Sequence, residues 1–160
     1  MRLSVIAVGR LKAGPEKELA DDYRKRAEAL GRKAGISRIA VAEFAESQSG
    51  TKALRMAEEA QAVATAMPQK AFAVVLDGSG RTMTSEGFAA LLQKHIDGGT
   101  SDLAFAIGGP DGHDPRTLAA AGLKLSLGAM TWPHRLVRVL LFEQIYRAAT
   151  ILVNHPYHRG

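Results

Sequence analysis

Two stretches of this chain carry residues that could do chemistry. One is Ile107-Gly108-Gly109-Pro110-Asp111-Gly112, an apolar run broken by two adjacent glycines and a turn. Glycine pairs let backbone come close to a ligand and permit positive φ at no steric cost. The other is the end of the chain, Asn154-His155-Pro156-Tyr157-His158-Arg159. It gathers groups that stack on bases, hold phosphates and move protons. The plain alternatives are an ordinary β-α turn and a frayed terminus. His155 and His158 could ligate a metal, but no nearby carboxylate completes a set, and none is expected.

The elements around these stretches follow from pattern. Leu3–Val8 reads as a first strand ending at Gly9. Gly14-Pro15 opens a helix whose apolar stripe is Leu19, Tyr23, Ala27 and Leu30. Ile36–Phe44 is the second strand, and the polar segment 45–51 is either a substrate-touching loop or a solvated connection. Ala53–Met67 repeats at helical period and stops at Pro68. Ala71–Asp77 is continuously apolar, as a central parallel strand should be, and runs into Gly78-Ser79-Gly80. That second glycine loop is no dinucleotide fingerprint, because Met83 stands where the third glycine belongs.

A helix from Ser85 with core face Phe88, Leu91, Leu92 and Ile96 follows, with His95 at its edge and without a role. Leu103–Ile107 is the strand that delivers the glycine pair. Asp114-Pro115 caps a short helix, Leu123–Leu127 is a fifth strand, and a turn leads to a helix over 136–152 that is apolar on nearly all sides. Such a helix must be covered all round, and a second subunit is the expected cover. Strands alternating with helices predict one α/β domain, residues 1–160, with a mostly parallel sheet flanked by helices.

Composition bounds the rest. The 160 residues are 46% hydrophobic and 23% charged, the balance of a globular domain with a proper core. There is no cysteine, which excludes a thiol nucleophile and thiolate zinc and fits a reducing cytoplasm. No apolar run is long enough to span a membrane. The formal net charge of +5 favours a polyanionic partner, most readily nucleic acid.

Several segments together give a resemblance. The 107–112 loop, the run from Leu125 to Arg147 (with Thr131, Pro133-His134, Arg138, Glu143-Gln144 and Tyr146-Arg147), and the terminal Asn154–Arg159 are similar to the RlmH family. These are SPOUT-class methyltransferases of bacteria that act on a pseudouridine of 23S ribosomal RNA in the large subunit. The likeness extends to Val5–Gly9 and to Leu76-Asp77 with Gly80. It implies an α/β fold with a C-terminal deep trefoil knot, a homodimer, S-adenosylmethionine as cofactor and rRNA as substrate, either free or within the assembled ribosome.

By position it implies cofactor contacts from Leu76, Gly108, Gly109, Gly128, Ala129, Met130, Thr131, Trp132 and Pro133. It implies a catalytic tail of Tyr157, His158 and Arg159, with Arg147, Asn154 and His155 on the substrate side. Gly128, Trp132, Arg81 and Gly160 depart from the commoner residues, which are serine, a smaller apolar residue, lysine and an acid. A side chain at Gly109 is expected to fill space that backbone should offer the cofactor. In a uracil-like base N3 carries a proton between two carbonyls. Arg159 is the expected stabiliser of the resulting anion, and His158 the base or second donor. Alternatively Arg159 only holds phosphate and the proton leaves to water. A non-catalytic RNA-binding protein and a dinucleotide oxidoreductase are the competing readings.

Overall fold

The computed structural model describes residues 1–159, with side chains as far as Tyr157. Ten main elements alternate: β1 (Arg2–Val8), α1 (Pro15–Gly31), β2 (Arg38–Phe44), α2 (Lys52–Ala66), β3 (Phe72–Arg81), α3 (Ser85–Asp97), β4 (Asp102–Ile107), α4 (Pro115–Ala119), β5 (Leu123–Leu125) and α5 (His134–Leu152). A 3-10 turn, Pro156–Arg159, closes the described chain. The strands form one parallel sheet in the order β2-β1-β4-β3-β5. β4 is buried at every position, as expected of a strand with helices on both faces.

Alternation along the strands sorts the core into two layers. Leu3, Val5 and Ala7 of β1, Val74 and Leu76 of β3, and Leu103, Phe105 and Ile107 of β4 pack in one cluster with residues of α1, α3 and α5. Ile6, Val8, Val75, Ala104 and Ala106 face the other way, against Val63 of α2 and Leu118 of α4. Local signals set the helix starts. Thr51 caps α2 by accepting from the Leu54 N–H, Thr84 caps α3 by accepting from Gly87, and Asp114 caps α4 by accepting from Arg116 with Pro115 behind it.

Two expectations change. On α1 Leu19 stays 46% exposed, while Ala20, Ala27 and Gly31 are buried. Ala20 and Ala27 pack in the cluster that holds Phe142, Ile145 and Tyr146 of α5. α5 itself packs against both α1 and α3 and over the sheet. Its apolar circumference is therefore largely covered within one chain and does not by itself require a second subunit. Exposed apolar surface remains only near its start, at Met130, Trp132 and Leu136.

β3 leaves the ladder where the sequence places its glycine loop. Leu76 and Arg81 both pair with Leu125, so 77–80 bulges out between them. A Cβ on Gly80 would lie 2.7 Å from the Leu125 nitrogen and 2.7 Å from the Lys124 carbonyl carbon, both backbone atoms. Gly80→Ala should therefore cost about 1–3 kcal/mol, the usual range for overpacking. Thermal unfolding followed by circular dichroism should show a midpoint lower by roughly 2–4 °C per kcal/mol.

Candidate functional site

The carboxyl ends of β3, β4 and β5 open into a trough of about 320 Å³. Three segments wall it: Asp77-Gly78 in the β3 bulge, residues 108–110 with Gly112 and His113 after β4, and 126–132 after β5, with His134 and Val137 of α5 closing one side. Leu76, Ile107 and Leu125 form its apolar floor. Crevices at the carboxyl ends of parallel strands are where open α/β sheets hold ligands.

Of the residues expected at a cofactor site, Leu76, Gly108, Gly109, Gly128, Ala129, Met130, Thr131 and Trp132 all line this trough. Pro133 does not line it. Its carbonyl instead accepts the first N–H groups of α5, from Leu136 at 2.9 Å and Val137 at 3.1 Å. Gly128 has φ +121 with open space where a Cβ would go, so glycine answers a backbone demand there.

The expected reason for Gly109 needs correction. A Cβ there would not enter the trough. It would meet Glu59 Oε2 and Val8 Cγ1, each at 2.9 Å, on the α2 side of the loop. Glu59 is 7% exposed, and its Oε1 accepts the Ser47 N–H at 3.0 Å. Its Oε2 has no hydrogen-bond partner among the described residues, and burial pushes the carboxyl above its ordinary range. The 45–51 segment is thus no free loop. Arg55 binds Asp111 of the glycine turn at 2.6 Å and the Ser49 carbonyl at 3.1 Å, and Glu58 accepts from Ser47 and Ser49.

Sequence reasoning passed over Asp77, His113, His134 and Val137 in the trough wall. Asp77, His134 and Val137 stood in the segments that carry the resemblance without a role of their own, and the only signal for His113 was its place in the turn after a strand. It also gave Arg138 no role. That guanidinium is 2% exposed, donates to Glu43 and to the Gly9 carbonyl at 2.5 Å each, and ties the start of α5 to the end of β1. His134 lies 3.4 Å from Glu46 at the same junction.

His113 is 8% exposed, and its imidazole edge packs against Gly108, where a Cβ would be 3.2 Å from Nε2. Nε2 has no partner among the described residues. Burial lowers its pKa below the ordinary 6.5, against the opposing pull of Asp77 and the carbonyls of Leu76 and Ala106. As pH falls through 6.5 the unfolded chain takes up this proton first, so stability is lost on the acid side. Urea unfolding between neutral pH and mild acid should show a loss in the wild type that is smaller in His113→Leu.

The tail folds back on α5. Tyr157 packs against Tyr146 at 4.6 Å between centroids with the rings tilted by 53°, under the Arg147 guanidinium at 5.0 Å, and its hydroxyl donates to Glu143 Oε1 at 3.3 Å. Arg147 also pairs with Glu143 at 2.7 Å. Burial and the Glu143 charge raise the Tyr157 pKa. Asn154, at φ 55, and His155 turn the chain, the latter donating its N–H to the Thr150 carbonyl at 2.8 Å. The side chains of His158 and Arg159 lie outside the described residues.

So Arg147 and Tyr157 come together around Glu143, with the His155 ring accepting the Tyr157 N–H at 3.2 Å, but not with the trough. Glu143 sits nine residues beyond His134, about 14 Å along the helix axis. None of the described tail residues lines the trough. No group of three or more potential ligands is placed to hold a metal among the described residues. No described helix is long and apolar enough to cross a membrane.

The trough suits S-adenosylmethionine by its donor set: backbone from three loops, an apolar floor, and Asp77 as the carboxylate available to a cation. Known proteins match the chain from end to end. A family model described as "Predicted SPOUT methyltransferase" matches residues 1–158. The chain is 51% identical over 160 residues, the whole of both chains, to the ribosomal RNA large subunit methyltransferase H of Rhodopseudomonas palustris (strain BisA53). It is 50% identical to the protein of that name from Bradyrhizobium sp. (strain ORS 278), covering 100% of this chain and 99% of the other. To that of Brucella anthropi it is 49% identical with both chains fully covered. A looser overlay, TM-score 0.45 at 12% identity over 92% of this chain and 66% of the other, is with a methyltransferase from Legionella pneumophila solved with its cofactor SAM.

Proposed function

The chain belongs to the SPOUT methyltransferase family, alongside the ribosomal RNA large subunit methyltransferases H, and from that premise we propose that it methylates N3 of a pseudouridine in 23S ribosomal RNA, with S-adenosylmethionine as donor. The observation that carries this reading is the glycine-walled trough at the strand ends, within a chain similar to those enzymes from end to end.

Bound in the trough, the cofactor supplies an activated methyl group on a sulfonium. The protein's own residues then have to align the acceptor and make it nucleophilic. Leu76, Gly108, Gly109 and the segment from Gly128 to Trp132 hold the donor, with Pro133 setting the exit into α5. Tyr157 stacks on the exposed base. Arg159 donates to the carbonyl oxygens as N3 loses its proton, and His158 takes that proton or adds a second donor. Arg147, Asn154 and His155 shape the approach of the RNA. Arg147 and Tyr157 are pre-assembled through Glu143.

Because a chain's own Tyr157 is docked on α5 away from its own trough, the tail that completes each site comes from the twin subunit of a homodimer. The exposed Met130, Trp132 and Leu136 beside the trough are the apolar surface such a partner would cover. The reading includes a knotted C-terminal part. What supports the knot is that segment 126–133 leaves the edge strand β5, borders the ends of β3 and β4, and delivers His134 beside Gly9 of β1.

RNA has a fitting surface as well. Arg10 and Arg38, with Lys17 and Arg24 beside Asp21, line a cleft between α1 and the β2 edge that also holds Glu28 and Glu43. A cytoplasmic protein acting on ribosomes would meet its polyanion there. Mass spectrometry of 23S rRNA from cells with and without the gene tests the reading. A methylated pseudouridine that disappears with the gene, and returns on adding protein and cofactor to ribosomes, is the expected result. An unchanged nucleoside profile would overturn it.

A further inference from the structure

Building on S-adenosylmethionine as the trough's ligand, we propose that Asp77 is the trough's counter-charge and makes it favour the cationic donor over the neutral spent cofactor. S-adenosylmethionine carries a sulfonium, an ammonium and a carboxylate, and is a net cation. S-adenosylhomocysteine has lost the sulfonium charge and is neutral overall. A site that must turn over gains if it releases the second more readily than the first.

The lining decides what can supply that preference. Asp77 is the single carboxylate among the described residues that wall the trough, and no lysine or arginine lines it. The carboxylate is fixed by its own loop. Oδ1 accepts the Ser79 N–H at 2.9 Å and the Ser79 hydroxyl at 2.5 Å. Oδ2 has no hydrogen-bond partner among the described residues. The two Ser79 bonds hold the carboxyl below the usual carboxylate range, so it is charged at neutral pH.

Two titratable groups face it. Lys124 of β5 lies close enough to act on it, and His113 lies across the trough on the loop after β4. His113 is kept neutral by burial and does not cancel the charge. Its Nε2, without a partner and under Gly108, shows why a neutral ring matters there: a second positive charge would stand against the donor's own. His134, the other titratable residue in the wall, is turned toward Glu46.

Calorimetric titration of the full-length protein with S-adenosylmethionine and with S-adenosylhomocysteine tests this. Asp77→Asn should weaken binding of the cation about 10-fold and of the neutral product by no more than about 2-fold, an interaction of one half-exposed charge pair. Ser79→Ala keeps the charge and should preserve the affinity ratio. Should Asp77→Asn fold poorly, wild type serves alone. Raising salt from about 50 mM to about 1 M should then reduce the preference for the cation, since screening shortens from ~14 Å to ~3 Å. Equal loss of both ligands in Asp77→Asn, or no loss of either, would overturn the assignment of a counter-charge while leaving the methyltransferase reading intact. A wild type that binds neither ligand would overturn both.

Discussion

Arg159→Ala should slow methyl transfer by about 100- to 1000-fold, the usual cost of removing one donor aimed at developing negative charge. N3 of a uracil-like ring becomes a nucleophile only by giving up a proton, and the resulting charge spreads over the flanking carbonyl oxygens. A guanidinium presents paired donors to such oxygens and stays charged at any working pH. The loss should fall on kcat, because the described walls of the trough come from other segments of the chain. Affinity for S-adenosylmethionine should stay within about 2-fold.

Single-turnover kinetics with ribosomes and calorimetry with the cofactor separate these effects. A variant that binds RNA about 10-fold more weakly but transfers methyl at the wild-type rate when saturated would reassign Arg159 to phosphate binding. Mixing Arg159→Ala with a trough-disabled variant adds a test of shared sites. A tail supplied across the dimer predicts recovery of activity, since the mixed dimer holds one intact trough beside one intact tail.

The trough-disabling variant is itself the second large prediction. Gly109→Val should abolish measurable cofactor binding and lower stability by about 1–3 kcal/mol. The cause is indirect. The new side chain would press on Glu59 and Val8, both already within 2.9 Å of the Cβ position. Glu59 is held by Ser47 and cannot retreat into water, being 7% exposed. The loop must therefore lift, and it lifts into the trough. Gly109→Ala should show the same pair of effects at smaller size. Thermal melts read one and calorimetry reads the other. A destabilised valine variant that still bound cofactor normally would show that loop and pocket are not coupled through Glu59.

The origin of these expectations differs along the chain. Periodicity and caps were enough to place the strands and helices, because burial on both faces makes β4 uniformly apolar and because Asp114 and Pro115 act on their immediate neighbours. The glycine-rich turns were legible for the same local reason. The 126–132 segment was legible as a site only through family likeness, since its contribution is largely backbone and leaves little trace in residue type.

The sequence by itself determined an alternating α/β chain, its glycine turns at strand ends, its positive charge and a tail able to stack, pair and exchange protons. Only the tertiary structure decided which three loops share one trough, that Asp77 and His113 belong to its wall, and that Gly109 is small on account of Glu59. It also decided that Tyr157 rests on Glu143 and not beside its own glycine loop. The physical reason is range. Propensity, capping and turn chemistry act over a few residues, whereas Asp77 and His113, or Gly109 and Glu59, meet only because parallel strands bring distant segments to one edge of the sheet. α5, in turn, carries the tail off along its own axis.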